Sequence, residues 1–329
     1  MGSSAWSDDH YKAREDHRAA ANIPTFAHHV ATAAAPAGTK KAHPTLDPKG
    51  VKVRECRDSD AHPNSHAVAV LLDVTGSMQD VPRIMQKSLP KLMGLLIRKG
   101  YLEHPAILVG AIGDAKRDGQ SEVPLQIGQF ESGIEIENDL TNLFLEGGGG
   151  GQTTESYELA GYFMAKHTVM DCFEKRGRKG YLFIIGDEMP HNEVATDDVL
   201  NIIGDKLQAN IPTSELFAEL KERWEIFYIM PKMTAHFGSE RVLKPWKQLL
   251  GQNVLLLDDP AGICELIAST VGVAEGTANI DSVEDDLVGA GATRGVATSV
   301  KNALVTVAKG RGNELAVASS GGPSGLAKL

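Results

Sequence analysis

Three cysteines in 329 residues, Cys56, Cys172 and Cys264, are odd in number and widely separated. They exclude a disulfide framework and fit reduced thiols, which predicts a cytoplasmic protein. No run approaches the roughly 18–20 apolar residues of a membrane span, so no membrane-spanning segment is expected. Basic residues are in deficit, 33 Lys and Arg against 43 Asp and Glu, for a net charge of −10. The chain therefore lacks the basic footprint of a nucleic-acid binder. Residues 1–10 are polar and acidic and lack the apolar core of a signal peptide. Trp6 stands where a myristoylation pattern needs Ser or Thr.

What remains suits a folded α/β protein. A hydrophobic content of 42% over this length is enough for one sizeable core with extensions. Residues 1–64 hold six of the eleven histidines and little apolar sequence, which predicts an arm that packs on something else. His28 and His29 in this arm have no metal-binding partners at suitable spacing and read as solvated. From His66 strands and helices alternate. Apolar runs at 67–72, 106–112, 181–185, 225–230 and 253–257 predict strands. Helical spacing predicts helices near 81–98, 137–145, 155–167, 197–208, 214–224, 239–250 and 261–273. A further strand at 125–130 follows 106–112 closely enough for a hairpin. The expected fold is α/β, a doubly wound, mainly parallel sheet with one antiparallel edge strand and helices on both faces. The expected organisation is an arm at 1–64, a domain at 65–276, and a C-terminal extension with a Gly- and Ser-rich tail at 277–329.

Three segments place oxygen-bearing side chains at one edge of that sheet. The strand 67–72 runs into Asp73, with Thr75 and Ser77 at steps of two. Five glycines at 147–151 lead through Gln152 to Thr153 and Thr154 just before a helix, and Asp187 follows the strand 181–185. Open α/β sheets bind ligands at the carboxyl ends of their strands. Hydroxyls and carboxylates converging there suit a hard divalent cation, Mg²⁺ first, with Mn²⁺ or Ca²⁺ as alternatives. Asp114 and Glu188 also stand at strand ends and are further candidates. The simpler reading of Asp73 is a strand-ending residue that caps the next helix. His191 follows Pro190, which is expected to turn it toward the surface.

This arrangement resembles the metal-ion-dependent adhesion site of the von Willebrand factor type A family. That site uses Asp-x-Ser-x-Ser on a first loop, a Thr on a second and an Asp on a third. Asp73 and Ser77 match, and Thr75 replaces the first Ser while keeping its hydroxyl. The family's second-loop Thr stands just before a helix, which favours Thr154 over Thr153, and Asp187 takes the third position. The resemblance covers about residues 66–275 and is closest to intracellular bacterial or phage members. It implies a metal-dependent protein-interaction module without catalysis, an adaptor or scaffold, whose ion is completed by an Asp or Glu of another protein. Proteins of this kind often accompany AAA+ ATPases, which makes such an ATPase an implied partner. Homo-oligomerisation is left open.

Two other readings compete. Asp73-Val-Thr-Gly-Ser with Gly186-Asp187 is similar to phosphohydrolases of the haloacid dehalogenase superfamily, where Asp73 would be the nucleophile. Val74 replaces that group's lysine, Thr75 stands where soluble members need a second Asp, and the glycine run has no use there. A scaffold with a silent metal site is the third reading. A phosphate-binding loop is excluded, because Glu146 and Gln152 occupy the positions of its first glycine and its lysine.

Overall fold

The computed structural model describes residues 8–21, 24, 26–36, 38–116, 123–147 and 153–310. Six strands form the central sheet: His66–Asp73 (β1), Pro105–Ile112 (β2), Leu125–Ile127 (β3), Gly180–Ile185 (β4), Trp224–Pro231 (β5) and Val254–Leu257 (β6). Their order is β6-β5-β4-β1-β2-β3, parallel throughout except for β3, which runs antiparallel to β2 at the edge. All eight residues of β1 are buried, as a strand covered on both faces requires. The fold is the mainly parallel, doubly wound α/β sheet that the alternating pattern predicts.

Side-chain alternation along β1 divides the core into two layers. Val68, Val70 and Leu72 face the helices Val81–Arg98 (α1) and Ile263–Ala274, together with the later helices Val283–Gly289 and Arg294–Gly310. Ala67, Ala69 and Leu71 face Tyr157–Lys166 (α2), Thr213–Arg223 (α3) and Glu240–Leu250 (α4). Phe163, Phe217 and Trp246 are fully buried there. No helix among the described residues is long and apolar enough to cross a membrane.

Both flanking segments contribute to these layers. Arg54–Cys56 pairs in parallel with Thr168–Met170, and Leu46 is fully buried in the first core layer. Val283 and Leu287, one helical turn apart, are buried and draw the acidic stretch around them into a helix that the charge pattern hides. The expected helix at 197–208 is replaced by a turn at Thr196–Asp198 and a π-turn at Val199–Ile203. It ends at Gly204, whose φ of 102° is left-handed and stops the helix. Residues 311–329 of the Gly- and Ser-rich tail lie outside the described residues.

The connectivity fixes where a ligand can bind. From β1 the chain moves to β2 on one side, and later returns to β4 on the other. The sheet therefore reverses its winding between β1 and β4, which pair from Val68↔Tyr181 to Leu72↔Ile185. A crevice opens beyond the carboxyl ends at such a switch point. Asp73 and Asp187 stand there, one at the end of each strand.

Candidate metal centre

The first loop turns sharply after Asp73. Its Oδ1 accepts the backbone N–H of Thr75 at 2.9 Å and the Thr75 hydroxyl at 2.6 Å. This Asx-type turn brings Thr75 back beside the strand end. A 3₁₀ turn, Gly76–Met78, follows and closes at Gln79, a non-glycine residue at φ 52°, ψ −122°. Such a conformation costs on the order of 1–3 kcal/mol and is held only where surrounding contacts enforce it.

A continuous chain of side chains then crosses from the first loop to the third. Thr75 Oγ1 lies 3.1 Å from Ser77 Oγ, and Ser77 Oγ donates to Asp187 Oδ1 at 2.7 Å. The proton count is informative. Each hydroxyl has one proton. With both carboxylates ionised, the proton of Thr75 goes to Asp73 and that of Ser77 to Asp187, and the two hydroxyl oxygens then face each other with lone pairs. Asp73 and Asp187 are both fully buried. Oxygen lone pairs converging between two buried carboxylates fit a hard cation, which supplies the positive charge that burial otherwise withholds.

Other elements brace the pair. Tyr157, in the first turn of α2, donates its hydroxyl to Asp73 Oδ2 at 2.5 Å. Gly186 makes this reach feasible, since a Cβ there would collide with the Tyr157 phenol. The loop 232–238, after β5, donates Ala235 N–H to Ser77 O at 3.0 Å and His236 N–H to Asp187 Oδ2 at 2.9 Å. Gly147 N–H reaches Val74 O at 3.1 Å, so the glycine-rich segment starts against the first loop. Glycines 148–151 and Gln152 lie outside the described residues.

The second loop enters the crevice through a short strand. Thr154 and Glu155 pair in parallel with Met189 and Pro190. Successive strand residues point to opposite faces. Thr154 lines a cavity of about 450 Å³ with His191, Asn192, Ser214 and Gln248. Glu155 is buried, and Asp73 and Glu188 are among the charges that act on it. Thr153 contributes its carbonyl to Met189 N–H at 3.0 Å. The structure thus joins Asp73, Thr75, Ser77 and Asp187 directly, and places Thr154 on the neighbouring cavity.

Asp114 and Glu188 stand on the rim of the same crevice. His191 turns inward, contrary to the expected surface position, and its Nε2 lies 2.9 Å from Asp114 Oδ1. Its main chain is held by Glu158, whose Oε2 accepts His191 N–H at 3.1 Å. Ser156 Oγ accepts Ala115 N–H and reaches Asp114 at 3.4 Å, tying the second loop to the end of β2. Glu188 Oε1 lies 3.4 Å from His236 Nε2.

Asp73, Asp114, Glu155, Asp187 and Glu188 are each at most 5% exposed. Among the described residues they form ion pairs only with His191 and His236, and with no lysine or arginine. Burial, then the nearby Asp187, pushes Asp73 up to about 7, against the hydrogen bonds from Thr75 and Tyr157. Burial, then Asp73 and Glu188, pushes Glu155 up to about 12. Glu188 is raised, first by burial, with Asp187 adding to it. Burial works to raise Asp114 as well, but the His191 hydrogen bond and Lys116 N–H outweigh it and hold Asp114 below its ordinary value. The crevice is short of positive charge. No three His, Cys, Asp or Glu side chains among the described residues are grouped to hold an ion by themselves. The set at Asp73 and Asp187 combines two carboxylates with two hydroxyls, the donor types that a hard divalent cation accepts.

Tyr157, Glu155 and the 232–238 loop are absent from the sequence-based site. The loop follows a strand that ends at the same edge, and Glu155 adjoins the threonine pair, so strand-end position alone could have marked both. Tyr157 carries no such signal, because its role depends on the space above Gly186.

No family model matches the chain, and no curated protein matches it. Solved structures similar to it include the pilus adhesin SpaC from Lactobacillus rhamnosus GG, at 10% identity and a TM-score of 0.44, covering 69% of this chain and 31% of that one. A von Willebrand factor type A protein from Catenulispora acidiphila is 14% identical with a TM-score of 0.40, over 65% and 43%. Proximal thread matrix protein 1 from the mussel byssus, described with a zinc-occupied MIDAS motif, is 13% identical with a TM-score of 0.37, over 68% and 49%. The chain spans less than half the length of each of these three proteins.

Proposed function

We propose that the Asp73–Asp187 centre holds one divalent cation, and that the chain uses this ion to bind another protein through an Asp or Glu of that partner. Asp73, Thr75, Ser77 and Asp187 are the residues that would hold it, with Thr154, or Thr153, as the ligand from the second loop. The observation that carries this reading is the approach of the Thr75 and Ser77 hydroxyl oxygens, 3.1 Å apart, between two fully buried carboxylates. An ion held there would supply the positive charge for which Ser77 and Asp187 now compensate by their hydrogen bond. The all-oxygen set favours Mg²⁺ or Mn²⁺, with Ca²⁺ as the larger alternative.

The role is one of binding rather than catalysis. Thr75 and Tyr157 occupy both oxygens of Asp73, which supports a fixed ligand over a free nucleophile. The cavity beside Thr154 is suited to residues flanking the partner's carboxylate, with Asn192 and Gln248 as hydrogen-bonding groups on its wall. We assign the protein as an adaptor or scaffold of a bacterial or phage complex in the cytoplasm, with an AAA+ ATPase as one candidate partner. The test is recovery of a bound protein from the native source in Mg²⁺ and its release by chelator. Asp73→Ala must abolish the recovery while leaving the fold intact by circular dichroism. Equal recovery in Mg²⁺ and in chelator would sink the proposal.

A further inference from the structure

The cavity beside Thr154 adjoins the metal centre through the chain itself. Met189 lines it, two residues after Asp187, and Met189 pairs with Thr154. At about 450 Å³ it falls within the roughly 300–1,000 Å³ of small-ligand sites. Its backbone is held rigidly. His191 N–H goes to Glu158 Oε2 at 3.1 Å, and the His191 carbonyl accepts the Thr213 hydroxyl at 2.6 Å. The Asn192 carbonyl accepts Thr213 N–H at 2.9 Å. Just beyond, Glu193–Val194 pairs with Ile211–Pro212 and leads into helix α3. Pro245 and Gln248, also on the cavity wall, belong to helix α4.

The side chains on these walls are in the opposite condition. Asn192, Ser214 and Gln248 are exposed and, among the described residues, their side chains make no hydrogen bond within the chain. Two carboxamides and a hydroxyl supply both donors and acceptors. The one ionisable side chain lining the cavity is His191, and its Nε2 is engaged by Asp114 Oδ1 at 2.9 Å. This composition selects an occupant. A charged side chain would lose water without gaining a counter-charge. A purely apolar one would strip water from three polar groups and leave them unpaired. An uncharged side chain that both donates and accepts hydrogen bonds meets the walls on their own terms.

We infer that this cavity receives an Asn, Gln, Ser or Thr side chain of the partner protein, at a fixed spacing from the Asp or Glu that meets the ion. The inference rests on the reading of the Asp73–Asp187 centre as an ion site that binds a partner's carboxylate. The ion accepts an acid from any sequence, and Asn192, Ser214 and Gln248 are the residues that discriminate between sequences.

Selection of a random-peptide display library on the immobilised full chain tests it, with washing in Mg²⁺ and elution by chelator. Recovered peptides should share an Asp or Glu with Asn, Gln, Ser or Thr at one fixed spacing from it. Replacing that neutral residue by Ala should weaken a recovered peptide about tenfold by fluorescence anisotropy, the loss of roughly one hydrogen bond. Asn192→Ala or Gln248→Ala should weaken the parent peptide likewise and leave the Ala peptide unaffected. Peptides with an acid but with Lys, Arg, an apolar residue or no preferred residue at any fixed spacing would overturn the cavity assignment and leave the ion reading standing. So would variants that both weaken the parent and the Ala peptide equally. Peptides recovered equally in Mg²⁺ and chelator, or sharing no acid, would overturn the ion reading and this one with it.

Discussion

Tyr157 and Asp73 are joined by a 2.5 Å hydrogen bond between a fully buried phenol and a fully buried carboxylate. The tyrosine comes from the helix after the second loop and the aspartate from the strand before the first. The bond therefore couples the two loops through the centre of the crevice. It favours the charged form of Asp73, the form that a cation requires.

Removing that donor should weaken ion binding without emptying the core. Tyr157→Phe keeps the ring and loses one hydrogen bond to a charged group, a change of about 1.5–3 kcal/mol. Isothermal titration with Mg²⁺ should show at least a tenfold weaker affinity. Gly186→Ala should have the same effect by displacing the ring, with an added loss of about 1–3 kcal/mol in stability from overpacking. Unchanged affinity in both variants would show that Tyr157 does not orient Asp73.

The ion should compete with protons. Asp73 in the folded, ion-free chain sits near 7, against an ordinary value of 3.8. An acid raised on folding contributes stability at low pH that is lost as pH rises from its unfolded value through its folded one. In chelator, Asp73 should therefore reduce stability between pH 4 and 7 by an amount on the order of 4 kcal/mol. Asp139 and Glu158, each pushed up to about 7 mainly by burial, act in the same direction. Mg²⁺ should offset the Asp73 share, and its affinity should rise with pH up to about 7. Urea unfolding at several pH values, with and without Mg²⁺, reads both effects.

His66 works with the opposite sign. Its ring is buried, stacks on Tyr181 and points Nε2 at Lys179 O, 3.0 Å away. Burial, then Arg178, pulls it down from 6.5 to about 4. The folded chain thus refuses a proton that the unfolded chain accepts. Its contribution should be lost as pH falls from 6.5 toward 4, by roughly 3 kcal/mol at most. His66→Gln should flatten the acid limb relative to wild type, and an identical pH dependence would remove His66 as its source.

Gln79 holds strained backbone immediately after Ser77. Gln79→Gly should stabilise the chain by about 1 kcal/mol, the released strain exceeding the entropy that glycine adds to the unfolded state. Chemical denaturation measures it. A loss of stability would mean that Gln79 side-chain contacts outweigh the strain.

Much of this could be read in advance, and for definable reasons. The continuous apolar run before Asp73 and the one before Gly186-Asp187 mark buried parallel strands. Parallel strands end on one edge, so Asp73, Thr75, Ser77 and Asp187 follow from the pattern of strands alone. Thr154 and Glu155 are harder to place from sequence, because a two-residue strand has no periodicity and forms only through its pairing with Met189–Pro190. His191 depended on a contact with Asp114, 77 residues away in the chain. The helix Val283–Gly289 was hidden by its acids, since two buried residues are enough to dock it once a core is present.

The most direct test of the metal centre is thermal or urea unfolding of wild type, Asp73→Ala and Asp187→Ala, each with Mg²⁺ and with chelator. At about one hundred times its dissociation constant, a bound ion should add about 2.7 kcal/mol to the wild type. Both variants should lose that increment. Superimposable wild-type transitions in Mg²⁺, Mn²⁺ and chelator would contradict the assignment of Asp73 and Asp187 as ligands.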